Sequence, residues 1–253
     1  MTPLEISIVA TAGFLCGAVN AVAGGGSLIL FPALIASGLP TLDANVTNSV
    51  ATWPGYLGGV FGFKEDLKGE GKRMIPLSLA TLAGSSVGCV LLLTTPTSAF
   101  DLIVPVLVLF SSTLLALQPR MKKWMAEKAP VEGKNHPGLY PGIFLATIYG
   151  GYFGGALGVI IIGVLALTMA DDLKKLNAIK GWLSLVDCCV SVAIFGLFGP
   201  VDWWAVAVAA PTTLLGGYVG ARVARKLNDK VLRFSVISLG VAVSIYLALR
   251  AAS

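Results

Sequence analysis

Long unbroken apolar runs are the feature that most constrains how this chain can fold. Stretches such as 74–94, 101–117, 202–221 and 231–249 carry almost no charge over their whole length. A helix crossing a bilayer core of ~30 Å needs about 20 such residues. The runs are continuous, whereas the strand of a membrane barrel alternates apolar and polar residues at every second position. The chain therefore reads as all-α, a polytopic membrane protein. Composition agrees: of 253 residues, 56% are hydrophobic and only 12% charged, with a mean hydropathy of +0.84, outside the range of ordinary soluble domains.

The net charge of +5 would point to nucleic acid in a soluble protein, but here the basic residues sit between apolar runs. That pattern is membrane orientation rather than a nucleic-acid footprint. Apolar segments are expected near 5–23, 26–38, 43–63, 74–94 and 99–117, and again near 138–153, 157–170, 177–198, 202–221 and 231–249. With the N-terminus outside, the stretches 64–73, 118–137, 171–180 and 222–233 face the cytoplasm and collect every Lys and Arg except Arg250, including Lys128, Lys134, Arg225 and Lys226. Both termini are then expected outside a cell inner membrane. The N-terminus carries Glu5 and no basic n-region, so the first apolar segment is expected to remain in the mature protein. Segments 26–38 and 157–170 are short for a crossing, and the charge pattern fits both spanning and re-entrant forms.

Sliding the sequence on itself by 132 residues pairs Gly26 with Gly158, Asn45 with Asn177, Thr52 with Ser184, Gly84 with Gly216 and Gly88 with Gly220. Five segments per half is an odd number, so the second copy enters the bilayer from the opposite face. The expectation is two inverted repeats, 1–117 and 138–253, joined by a cytoplasmic linker at 118–137, with broken or re-entrant hairpins opening each half. Inverted repeats are the architecture of alternating-access carriers, which hold substrate where interrupted helices meet.

Three groups of residues could make such a site. Gly24, Gly25, Gly26 and Ser27 precede a helix, whose exposed N–H groups and dipole favour an anion; Gly154 and Gly155 stand in the matching place. The competing reading of these glycines is tight turns or close helix packing. Polar stripes follow at helical spacing: Asn45, Asn48, Ser49 and Thr52, then Asn177, Lys180 and Ser184. Asp187 is the one acid well inside an apolar segment, and an intramembrane carboxylate is by default a functional candidate. Lys180 is expected to bind an anion and Asp187 to exchange a proton. The alternatives are a lysine snorkelling to the membrane edge and an acid bonding between helices. Tyr152 and Trp182 flank the stripes and could line the site. The four cysteines lie inside apolar segments without metal-ligand spacing, and nothing in the chain calls for a cofactor, a metal or a nucleic-acid partner. No His or acid cluster supports membrane enzymology.

The run Gly13 to Gly38, GFLCGAVNAVAGGGSLILFPALIASG, resembles the signature of the TauE/SafE family of sulfite and organosulfonate exporters, and the resemblance extends over nearly the whole chain. The second half departs from it: GGYFGGALGVIIIGVLALTMADD has scattered glycines and no proline matching Pro32. The resemblance implies a secondary transporter, not an enzyme, exporting a small sulfur-containing anion. A carrier of another small organic anion, or an anion channel, is the alternative. The expected partners are a small anion, the lipid bilayer and protons as coupling ion; a homo-oligomer is left open.

Overall fold

The computed structural model describes residues 1–22, 24–62, 64–127, 136–223 and 229–252; Lys128, Lys134, Arg225 and Lys226 lie outside them. The described residues are all-α, as the apolar runs require. The helices are α1 (Pro3–Val22), α2 (Ser27–Ala36), α3 (Thr41–Gly62), α4 (Gly71–Thr94), α5 (Thr97–Glu127), α6 (Leu139–Tyr152), α7 (Leu157–Thr168), α8 (Leu173–Phe198), α9 (Trp203–Val223) and α10 (Asp229–Ala252). A 3-10 turn at Lys64–Leu67 joins α3 to α4. Four of these helices, α1, α4, α5 and α8, are individually long and apolar enough to cross a membrane. Many large apolar side chains point outwards, among them Leu102, Val106, Leu145 and Leu249, which is the surface a lipid-embedded protein presents.

Helix boundaries fall close to the expected segments with one clear difference. α5 runs on through Pro119 to Glu127, into the basic stretch expected as linker. Met, Lys, Ala and Glu in 121–127 are good helix formers, so charge alone does not end the helix there. Where a proline does sit inside a helix, hydroxyls take up carbonyls nearby: around Pro54 in α3, Ser49 donates to the Asn45 carbonyl, Thr52 to that of Ser49 and Thr213 to that of Ala51. Without water in the bilayer core, such local partners are what keeps the backbone polar groups satisfied.

The two short helices double back. α2 has 10 residues and α7 has 12, about 15 and 18 Å of helix, half of a ~30 Å core or little more. Gly26 lies against Cys16 and Asn20 of α1, while Ala36 shares a groove with Ser7 and Ile8, so α2 returns along α1. α7 returns along α6 in the same way: Gly142 faces Val164, and the His136 N–H bonds the Thr168 carbonyl at 3.1 Å. Both are helical hairpins whose short second limb doubles back along the first.

Packing partners correspond under exchange of the two halves. α1 lies on α9 as α6 lies on α4; α3 lies on α9 as α8 lies on α4; α2 meets α10 as α7 meets α5; and α3 pairs with α8, α5 with α10. Helix starts from α3 onward are 132 residues from their counterparts (Thr41 and Leu173, Gly71 and Trp203, Thr97 and Asp229), but Ser27 and Leu157 are 130 apart. The physical reason is that α7 is two residues longer than α2. In the hairpins this aligns Gly24 with Gly154, both at positive φ (82° and 73°), in place of Gly26 with Gly158.

Glycine makes the tightest crossings possible. A Cβ at Gly216 or Gly220 would overlap the backbone of Phe14 or Ala18, and one at Gly84 or Gly88 would overlap that of Phe144 or Ile148, the small-residue contact typical of membrane helices. Gly59 of α3, by contrast, has nothing within 4 Å of a Cβ. Gly216→Ala should therefore destabilise the protein by ~1–3 kcal/mol through overpacking, whereas Gly59→Ala should be neutral or stabilise it by up to ~1 kcal/mol through helix propensity. Thermal unfolding in one detergent, with both variants alongside wild type, measures the difference in sign.

Candidate functional site

The tips of the two hairpins meet at the centre of the bundle. Gly24 and Gly158 touch backbone to backbone: a Cβ on Gly158 would stand 3.0 Å from the Gly24 Cα. The same Cβ would lie 3.4 Å from Cδ of Lys180, so the lysine stem runs along the tip of the second hairpin. Beside this junction is a small cavity of about 20 Å³, lined by Asn20 and Gly24 from the first hairpin, Gly158 from the second, Tyr56 from α3, and Lys180 and Ser184 from α8. It offers roughly the room of one water molecule. Lys180 and Asp187 are the two charged side chains that are buried among the described residues, each 5% exposed.

Of the residues expected to form the site, Gly24, Asn177, Lys180 and Ser184 line this cavity. The remainder of the first glycine group is engaged within the protein. The Gly24 N–H bonds the Val19 carbonyl at 3.0 Å, and the Gly26 N–H bonds Oδ1 of Asn20 at 2.8 Å, so two of the donors expected to face an anion are already occupied. Gly25 packs against Leu115, and Ser27 is buried at the start of α2. In the second hairpin the Gly154 N–H bonds the Tyr149 carbonyl at 3.2 Å. The Gly155 carbonyl accepts from the Tyr149 hydroxyl at 2.7 Å and from Ser111 at 3.1 Å. Ala156 caps α7 with φ 57°, a left-handed conformation that costs a residue with a Cβ on the order of 1–2 kcal/mol.

The first polar stripe forms a separate group further along α3. α3 and α8 run antiparallel, because Thr52 meets Cys188 at 3.6 Å and Trp53 Nε1 donates to Cys189 at 3.0 Å, while Tyr56 shares the cavity with Ser184. Asn45 donates from Nδ2 to the Tyr152 carbonyl at 3.1 Å, and the Tyr152 hydroxyl donates to Thr95 at 3.4 Å. Asn45 and Asn48 are buried, and Oδ1 of each lacks a protein partner. Ser49 and Thr52 spend their hydroxyls on α3 carbonyls. The two stripes thus lie at opposite ends of the α3–α8 pair.

α4 and α8 run parallel, joined by a ladder of side chains. Trp182 Nε1 donates to Ser78 at 2.9 Å, Ser85 donates to the Asp187 carboxylate, and Cys89 meets Ser191 at 3.6 Å. α6 leaves space for the carboxylate with Gly150, where a Cβ would stand 2.6 Å from Oδ1 of Asp187 and 2.8 Å from Cδ2 of Leu157. Trp182 is therefore a rung of this ladder. Asn20, Tyr56, Ser85 and Gly150 escaped the sequence reading, because each matters through a contact with a distant segment. Asn20 alone carries a local sign, a polar residue just before the glycine run.

The start of α8 is tied down by charge. Arg73 bonds Asp171 at 2.7 Å, and Lys175 bonds Glu70 at 2.6 Å and Asp171 at 3.2 Å. These pairs fasten the start of α4 to the α7–α8 turn, five residues below Lys180.

The profile of the family described as "Sulfite exporter TauE/SafE" matches residues 9–247 of the chain. The protein belongs to the TauE/SafE family. Similar proteins include a "Probable membrane transporter protein ORF9" of Sinorhizobium sp, 26% identical over 243 residues that cover 93% of this chain and 89% of the relative. A "Probable membrane transporter protein" of Haemophilus influenzae is 24% identical over 234 residues, 92% of this chain and 90% of the relative. The "Probable membrane transporter protein YfcA" of Escherichia coli is 23% identical over 252 residues, 96% and 90%. No solved structure matches. As a TauE/SafE member the chain is a multi-pass membrane protein of a transporter family, and its buried Lys180 sits where the two hairpins meet.

Gly150→Ala tests how closely Asp187 is fitted. The substitution should cost ~1–3 kcal/mol, and much less in an Asp187→Ser background, giving a coupling of ~0.5–3 kcal/mol in a double-mutant cycle. Equal costs in both backgrounds, read from unfolding in detergent, would show that the glycine does not serve the acid.

Proposed function

We propose that this protein is a secondary transporter of a small sulfur-containing anion, sulfite or an organosulfonate, working by alternating access. The observation that carries the reading is Lys180. A buried cation lying along the meeting point of two re-entrant hairpins, at the mouth of a cavity, is the arrangement in which a dehydrated anion gains most from electrostatics. The N-terminus of α7 adds its partial positive charge at the same place. Family membership and the names of its relatives support transport, and the sulfur chemistry follows the family description.

The exchange-symmetric packing supports two inverted repeats, 1–117 and 138–253, whose hairpins move against α3 and α8. In the orientation with both termini outside an inner membrane, the ion pairs of Arg73, Glu70, Asp171 and Lys175 close the cytoplasmic end below the cavity. The narrow cavity favours a carrier over an open channel, which needs a continuous polar pore. Asp187 is the group through which a proton is coupled to the anion. Ser85, which donates to the carboxylate, holds its orientation.

Uptake of sulfite and of methanesulfonate into proteoliposomes should saturate and respond to a pH gradient. Lys180→Gln should raise KM by about ten- to a hundredfold, matching ~1.5–3 kcal/mol for a hydrogen bond to a charged group. Asp187→Asn should abolish the response to the gradient. Flux that never saturates, or a Lys180→Gln variant with unchanged KM, would sink the carrier reading.

A further inference from the structure

Thr81 and Ser184 stand between two rungs of the α4–α8 ladder. Below them is the Ser78–Trp182 bond and above them the Ser85–Asp187 bond. Because α4 and α8 are parallel, Thr81, four residues before Ser85, and Ser184, three before Asp187, occupy the same level, one helical turn from the acid. Thr81 is 0% exposed and Ser184 1% exposed. Neither hydroxyl has a hydrogen-bond partner among the described protein groups, although buried hydroxyls are nearly always bonded. Ser184 also lines the cavity beside Lys180, whereas Asp187 does not. Ser184 therefore belongs both to the cavity wall and to the level one turn from the carboxylate, with Thr81 at the same level on α4.

The geometry points to a proton relay: Thr81 and Ser184 hold a water molecule that links the cavity to Asp187, and protons reach and leave the carboxylate by this route. The relay rests on the reading of Asp187 as the proton-coupling group. A hydroxyl donates one proton and accepts others, so water in the cavity passes a proton to Ser184, which hands its own to the bridging water, and that water protonates Asp187. The reverse sequence empties it. The titratable groups facing Asp187 are Tyr56 from α3, Cys89 from α4 and Cys188 on α8 itself. α6 and α7 present Gly150 and Leu157, and Lys180 lies two turns away on α8. Of these neighbours Tyr56 also lines the cavity, while Ser184 and Thr81 are the buried hydroxyls near the carboxylate that the described protein groups leave without a partner, and the relay is assigned to them.

Hydrogen–deuterium exchange of the Asp187 carboxyl, followed by infrared spectroscopy of the purified protein in lipid, tests the relay without any substrate. The protonated acid should give a carbonyl band that Asp187→Asn removes and that shifts in D2O. In the Thr81→Val, Ser184→Ala double variant the band should remain, but its exchange should slow by about tenfold or more, the kinetic equivalent of losing one hydrogen bond. The pair Thr81→Ser, Ser184→Thr keeps both hydroxyls and should exchange at the wild-type rate, which guards against a trivial packing effect. Wild-type exchange in the double variant, slow exchange in the hydroxyl-preserving pair, or no Asp187 band at any pH at which the protein is folded would overturn the relay. If methanesulfonate and sulfite uptake fail in wild type while exchange behaves as stated, the transport reading falls and the relay stands.

Discussion

Backbone contact without intervening side chains, at Gly216 and Gly220 of α9 against α1 and at Gly84 and Gly88 of α4 against α6, is what the rest of this structure depends on. Lipid gives helices no hydrophobic reason to associate, so close van der Waals contact must supply it. The two contacts place α9 on α1 and α4 on α6, and each outer helix then carries a longer one, α3 or α8, against itself. Those longer helices pair with each other and carry the two polar stripes together with Lys180 and Asp187. The site is thus a consequence of glycine spacing on other helices, several turns away from it.

The halves share this scaffold and differ in what they place on it. At the packing register, Asp187 matches Gly55, and within the hairpins Asn20 matches Gly150. One half sets an acid from α8 into the space left by a glycine on α6; the other sets an amide from α1 beside a glycine on α3. The Ser85 that serves the acid is matched by Gly217, which touches the Gly55 carbonyl in close backbone contact. A single framework thereby places a carboxylate on one side and an amide on the other. The first receives the ladder to α4, and the second, which shares its cavity with Lys180, holds the Asn20 bond that fixes the tip of the first hairpin.

Much of the fold was legible in the linear chain because apolar length is a local property. Segment boundaries at 74–94, 177–198 and 202–221 reappear as α4, α8 and α9 within a few residues. The extension of α5 was hidden because basic residues were read as a loop, although Lys and Arg are as compatible with helix as Leu. Lys180 and Asp187 stood out for the same local reason, being charges inside apolar runs. Their surroundings did not: Gly150 gives no hint that it faces Asp187, and Ser85 looks like any small residue of a membrane helix. The donors of Gly24 and Gly26 looked available only because Val19 and Asn20, their acceptors, sit on the preceding helix rather than in the glycine run.

The contact between Gly24 and Gly158 makes the two hairpins mechanically inseparable at their tips. With backbone against backbone, neither tip can acquire a methyl group unless the other retreats, and a tilt of one is felt by the other with no soft side chain to absorb it. The two halves thus meet through a pair of residues that have no side chains.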